Sequence, residues 1–108
     1  MFFELRVYHC APGRLPALLK RLADGGVALF KRHGIRPLGF WTVDIGQSSS
    51  DLIYLLEWES FAERERKYAA FLADPDWLAL QAESEKDGPI VASITNSILT
   101  PTKFSALK

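Results

Sequence analysis

The segment Phe2–Cys10, FFELRVYHC, alternates in two phases at once, and this limits what the chain can fold into more than any other feature. In a strand, residues i and i+2 share a face, so Phe3, Leu5 and Val7 point one way and Glu4, Arg6 and Tyr8 the other. A later segment, LIYLLEW (Leu52–Trp58), repeats the pattern, with Tyr54, Leu56 and Trp58 on one face and Ile53 and Leu55 on the other. PLGFWTVDI (Pro37–Ile45) likewise sets Phe40 and Trp41 on opposite faces. Strands of this kind need cover on both sides, because large exposed apolar patches mark interfaces.

Between these strands the period changes. After the turn Ala11–Pro12–Gly13, Leu15, Leu18, Leu22 and Leu29 follow helical spacing, and Lys31, Arg32, His33 and Gly34 form a basic last turn with a glycine cap. Gly25 and Gly26 interrupt that helix. Each costs about 1 kcal/mol relative to alanine, so the pair implies a kink, a break or a close backbone contact within one long helix. The polar loop GQSSSD joins the second and third strands as an antiparallel hairpin. Ser60 with Glu63 makes a capping box for a helix whose buried stripe is Phe61, Tyr68 and Leu72. ADPDW breaks that helix, with Asp74 or Asp76 capping a short further one, and the last strand runs from Ile90 or Val91 to Leu99. The order β, α, β, β, α, β predicts an α+β fold, a ferredoxin-like βαββαβ sandwich with a four-stranded antiparallel sheet. It forms a single domain over residues 1–100, with a short tail over 101–108.

Composition removes several classes of function. Thirteen basic and thirteen acidic residues leave no net charge to attract nucleic acid or an anionic membrane surface. No apolar run approaches the roughly 18 residues a membrane helix needs. Cys10 is the only cysteine, so there is no disulfide within the chain and no zinc cluster, and a reducing, cytoplasmic setting is expected. No metal site and no cofactor is predicted.

Two helices cover only one face of the sheet. Helix packing is expected to claim Phe3, Leu5 and Val7, leaving Glu4, Arg6 and Tyr8 on the open face opposite Ser93, Thr95 and Ser97. A second copy packed sheet to sheet would then enclose that row in a homodimer. Glu4, Arg6 and Tyr8 are candidate ligand-binding residues: Arg6 for an anionic or carbonyl oxygen, Glu4 to orient Arg6 or take a proton, Tyr8 as a donor. The alternative is a charge-satisfied interface in which Glu4 and Arg6 neutralise each other. Trp41 and Trp58 are candidates for stacking on an aromatic ligand, whereas Trp77 reads as a helix-start anchor. His9 reads as a structural histidine, and Lys31, Arg32 and Arg36 as a solvated helix end.

ELRVY before a PG turn, KRHG, LGFW, ESFAERE and DPDW run in order from about Phe3 to about Leu99, and in this the chain resembles the NIPSNAP family. The resemblance implies a ferredoxin-like protomer and a dimeric α+β barrel closed sheet to sheet. It implies no assigned reaction. A small stand-alone, bacterial member is expected from the absence of a targeting extension before Phe2. One departure is Leu56, where the family would place an aromatic, often Trp. A haem-degrading relative would use a helix histidine as axial ligand, which makes His33 a haem candidate; the helix dipole and cap explain its position equally well.

Two functions remain open at this level. One is a homodimeric binding or interaction module, or a small-molecule carrier. The other is a cofactor-free or haem-dependent monooxygenase-like enzyme acting on a small aromatic or carbonyl compound. The enzyme requires an open cavity of a few hundred cubic ångströms reaching Arg6 and Tyr8.

Overall fold

The apolar, β-rich segments become strands β1 (Phe2–Cys10), β2 (Arg36–Thr42), β3 (Asp51–Trp58) and β4 (Val91–Leu99) in a computed structural model that describes residues 1–108. They pair in the order β2-β3-β1-β4, every neighbour antiparallel, as a ferredoxin-like sandwich requires. The first connection is α1 (Leu15–Arg21), a π-helical turn over Leu22–Gly26, and α2 (Val27–Arg32). The second is α3 (Phe61–Ala73) followed by α4 (Pro75–Ser84). No helix is long and apolar enough to cross a membrane.

Helix boundaries follow local chemistry. Gly34 adopts φ +70 just past α2, the left-handed cap expected there. Ser60 Oγ accepts from Glu63 N at 3.1 Å, while the Glu63 side chain reaches back to Glu59 N at 3.0 Å, one residue earlier than a capping box would place it. Asp74, and not Asp76, caps α4, accepting from Asp76 N at 2.8 Å. The glycine pair produces a π turn and a close approach: a Cβ on Gly25 would lie 3.0 Å from Leu80 Cδ2 of α4.

The sheet presents its faces opposite to the expected way round. The β1–β3 register pairs Phe2 with Trp58, Glu4 with Leu56, Arg6 with Tyr54 and Tyr8 with Leu52. Leu52, Tyr54, Leu56 and Trp58 are sealed from solvent, and they form the bulkiest row in the sheet. The helices pack on that row, and cross-strand partners share a face, so the even residues of β1 come with it. Glu4, Arg6 and Tyr8 therefore lie under the helices, and Phe3, Leu5 and Val7 lie on the open face. Ser93, Thr95 and Ser97 pair with His9, Val7 and Leu5 on that open face, whereas Ile94, Asn96 and Ile98 stand beside Tyr8, Arg6 and Glu4.

The stripe of α3 shifts for the same reason. Phe61 and Leu72 are exposed, and Phe71 is buried. Arg64, Tyr68 and Phe71, at helical spacing, face the row that contains Glu4. Phe61 still stacks on Phe2, at 4.4 Å between ring centroids.

Helices cover β1 to β3 and leave β4 exposed on both faces, with Ile94 and Ile98 open to solvent. On the opposite side, Leu5, Val7, Ile53 and Leu55 form an apolar strip that no helix touches. The chain is a plate of 45 × 36 × 19 Å, and its radius of gyration, 14.4 Å, exceeds the roughly 13 Å of a sphere-like domain of this length.

Candidate ligand-binding site

Glu4 lies in the middle of the sheet with none of its surface exposed. A carboxylate there must be neutral or fully bonded, since removing it from water costs several kcal/mol. It is fully bonded. Arg64 donates to it from Nε at 2.8 Å and from Nη2 at 2.9 Å, and Trp58 Nε1 at 3.0 Å. Arg6 Nη1 and Asn96 Nδ2 complete the set at 3.0 and 2.8 Å. Burial pushes the Glu4 carboxyl up, but the hydrogen bonds from Arg64, Asn96 and Trp58 and the charge of Arg6 outweigh it and hold the pKa at about 2. Glu4 is thus a fixed anion that orients Arg6, with no capacity left to take a proton near neutral pH.

Arg6 is nearly buried and wrapped by tyrosines: its guanidinium carbon lies 5.7, 5.9 and 5.1 Å from the ring centroids of Tyr8, Tyr54 and Tyr68. Its Nε donates to Tyr54 Oη at 2.8 Å, and Tyr54 Oη donates in turn to Tyr8 Oη at 2.8 Å. Burial and the neighbouring Tyr8 push the Tyr54 and Tyr68 hydroxyls above the ordinary phenol range, so both stay protonated. The hydroxyl proton of Tyr8 has no acceptor in the chain, and Arg6 uses only two nitrogens of its fork. Both residues line a cavity of about 610 Å³, open to solvent on one side, between β1, β4, α3 and α4. Tyr68, Phe71, Trp77 and Ile94 form much of its apolar wall.

The other sequence candidates fall elsewhere. Trp58 is sealed in the core, where its indole serves Glu4 and not a ligand. Trp41 pairs with Ile53 on the open face, half exposed and folded back over Gly39, on the opposite side of the sheet from the cavity. His9 is partnered at both ring nitrogens, Nδ1 with Asp51 at 2.9 Å and Nε2 with Thr95 at 2.7 Å. His33 Nε2 lies 2.6 Å from Asp74 Oδ2 and does not line the cavity. Arg32 bonds to Asp74 and Asp76, and Arg36 to Glu63, so those cations are already engaged by carboxylates. No three of the His, Cys, Asp and Glu side chains gather into a group able to hold a metal ion.

Among the cavity residues, sequence reasoning passed over Arg21, Phe71 and Glu85, and read Tyr68 only as helix packing and Trp77 only as an anchor. Trp77 follows the ADPDW break and packs on Phe71 at 4.8 Å between centroids, forming a wall where an anchor was expected. Arg21 offered one signal: it falls three residues after Leu18, on the apolar side of the first helix.

Replacing Glu4 by glutamine leaves Arg6 and Arg64 without their shared counter-charge, and the variant is expected to lose about 3 kcal/mol. The pH dependence carries the sharper test. A folded pKa of about 2 lies below the ordinary 4.5, so the stabilisation from Glu4 is complete above about pH 5 and is lost as pH falls toward 2. Glu63 and Asp74, also held at about 2, contribute in the same window in both proteins. Urea midpoints at pH 7, 5 and 3 should therefore fall less steeply in Glu4→Gln than in wild type; equal slopes would mean that Glu4 is not held ionised.

Comparison with known proteins follows the fold and extends beyond it. The NIPSNAP family model matches residues 3–106. A NIPSNAP family protein with unknown function from Agrobacterium tumefaciens superimposes with a TM-score of 0.87 at 30% identity, over 100% of this chain and 94% of its own. A NIPSNAP-like domain protein from Burkholderia xenovorans gives 0.84 at 26% identity, over 96% of this chain and 87% of that one. A putative antibiotic biosynthesis monooxygenase from Nitrosomonas europaea shares the fold alone, with a TM-score of 0.62 at 8% identity over 94% and 98% of the two chains. No curated protein matches the sequence. A family model spanning almost the whole chain and a structure matched over nearly its full length at 30% identity lead to one conclusion: the chain belongs to the NIPSNAP family.

Proposed function

We propose that the protein is a homodimeric small-molecule-binding module, a carrier whose ligand occupies the cavity between the sheet and α3–α4 in each protomer. The observation that carries this reading is the cavity of about 610 Å³ with Arg6 and Tyr8 in its wall, since ligand pockets run from about 300 to 1,000 Å³. The space was expected inside the dimer, between two sheets. It lies instead within one chain, because the even face of β1 went under the helices.

The open face supports the dimer. Leu5, Val7, Ile53 and Leu55 sit in its middle, flanked by the exposed Trp41 on β2. Four strands of up to nine residues span roughly 19 × 30 Å at ordinary strand spacing, which suits the roughly 800 Å² each partner contributes to a standard interface. A second copy of the same plate matches this strip in both size and chemistry. A cytoplasmic location is supported by the buried, unpaired Cys10.

A second reading, a cofactor-free monooxygenase-like enzyme, is favoured by one feature. The hydrogen-bond relay from Arg6 through Tyr54 to Tyr8 ends in a free hydroxyl proton at the cavity, suited to a carbonyl or phenolate oxygen. The fixed charge of Glu4 and the raised tyrosine pKa values leave the Arg6–Tyr54–Tyr8 relay itself without a proton acceptor near neutrality, which favours binding over catalysis.

Light scattering at micromolar concentration should give about twice the 12.1 kDa chain mass, and Leu55→Lys should give the monomer; a monomeric wild type would refute the dimer. Calorimetry with 2-naphthalenemethanol should detect binding that Ile94→Trp, which fills the cavity from β4, weakens at least tenfold. Equal affinity in the two proteins would place the ligand elsewhere. Oxygen uptake above the uncatalysed rate on adding 1-naphthol, abolished by Tyr8→Phe, would favour the enzyme over the carrier.

A further inference from the structure

Arg21 is only 5% exposed, yet the chain supplies it with almost nothing to bond to. Its Nη1 lies 3.4 Å from Ser84 Oγ and 3.6 Å from Glu85 Oε1, both long, and Glu85 is itself partly in solvent. Its Nε is sealed from water and has no partner, and its Nη2 makes no hydrogen bond within the chain. More than nine in ten buried polar groups are satisfied in folded proteins, and a buried charge demands it most. The other orphaned guanidinium nitrogen, Arg36 Nη2, belongs to a side chain more than a third exposed and remote from the cavity. Arg21 lines the cavity.

Nε lies too deep for a ligand atom to reach, which leaves Nη2 as the nitrogen free to donate to an anionic oxygen in the cavity. Trp77 lies over the guanidinium, 5.2 Å from its carbon to the ring centroid, within cation–π range. The Trp77 ring continues onto Phe71 at a tilt of 32°, and Tyr68 meets Phe71 edge-on at 78°, giving an angled aromatic wall beside Arg21. Charge sets the valence. Arg6, Arg64 and Arg21 face Glu4 and Glu85, which leaves one positive charge in excess. A single carboxylate neutralises it; a phosphate dianion would overshoot.

We propose that the cavity takes an aromatic monocarboxylate, its carboxylate held by Nη2 of Arg21 and its ring set among Tyr68, Phe71 and Trp77. This rests on the carrier reading above and names the class of molecule carried. Arg6 and Tyr8 then face the remainder of the ligand and accommodate a hydroxyl or carbonyl substituent.

The test compares 2-naphthoate with its uncharged counterpart, 2-naphthalenemethanol, by calorimetry at pH 7. Wild type should bind 2-naphthoate at least tenfold more tightly. Arg21→Met should erase that preference while changing the affinity for 2-naphthalenemethanol less than threefold. Glu85→Gln, which removes the carboxylate beside Arg21 in the cavity wall, should tighten 2-naphthoate several-fold and change the alcohol far less. Equal affinity of wild type for the two probes overturns the carboxylate assignment and leaves the cavity standing. Binding of neither probe removes the carrier reading and this one with it. A preference for 2-naphthoate that survives in Arg21→Met, or that is unmoved by Glu85→Gln, overturns the role of Arg21.

Discussion

Glu4 is ionised and enclosed at once, and four elements of the fold are held together by what that requires. An unpaired carboxylate at the centre of the sheet would cost several kcal/mol, so β1 supplies Arg6, β3 supplies Trp58, α3 supplies Arg64 and β4 supplies Asn96. The bond from Asn96 matters most for β4, which no helix covers. Arg64 fixes the rotation of α3 about its axis and thereby turns Tyr68 and Phe71 toward the cavity. Arg6, anchored by Glu4 on one nitrogen and bonded to Tyr54 on another, cannot swing away from the space it lines. The charged row of β1 is therefore a rigid support for the candidate site as well as part of it.

The cavity itself comes from the broken second connection. Pro75 cannot continue α3, and Asp74 is held at the break by His33 and Arg32, so α4 leaves in a new direction. Phe71 and Leu72 stand on one side of the break, Trp77 and Leu78 on the other, and the space between them is closed below by β1 and β4. A continuous helix across residues 61–84 would lie along the sheet and fill that space. The break thus leaves a cavity that the two-layer fold does not itself demand.

Much of this was legible in the sequence, and the errors have a common cause. Ser60, Asp74 and Gly34 mark helix ends through short-range hydrogen bonds or a positive φ, and the residues near them suffice to find them. Strand order and pairing follow from the order of elements. The facing of β1 does not, because both of its phases contain residues that suit burial. The decision is made by β3, whose even row is larger, and a polar triplet reads as outward only if its partner strand is ignored. Phe71 replaces Leu72 in the α3 stripe for the same nonlocal reason. Arg21 escaped notice and Trp77 read as no more than a helix anchor because each is ordinary where it stands in sequence; they become neighbours only across the packed helices, at 5.2 Å.

The π turn at Leu22–Gly26 acts as an angular offset. Successive residues of a regular helix advance about 100°, so Leu18, Arg21, Leu29 and Phe30 would spread over an arc of about 180°, too wide for one buried side. One additional residue in the turn sets the second half back by about 100°, and all four then fall within an arc of about 100°. That is how a cation and three core side chains, all nearly sealed from solvent, share one side of the first helical connection. The glycine pair thus tunes the bearing of Arg21 relative to Phe30, and a relative with one residue fewer between them would have to give up either the buried cation or the aromatic beneath it.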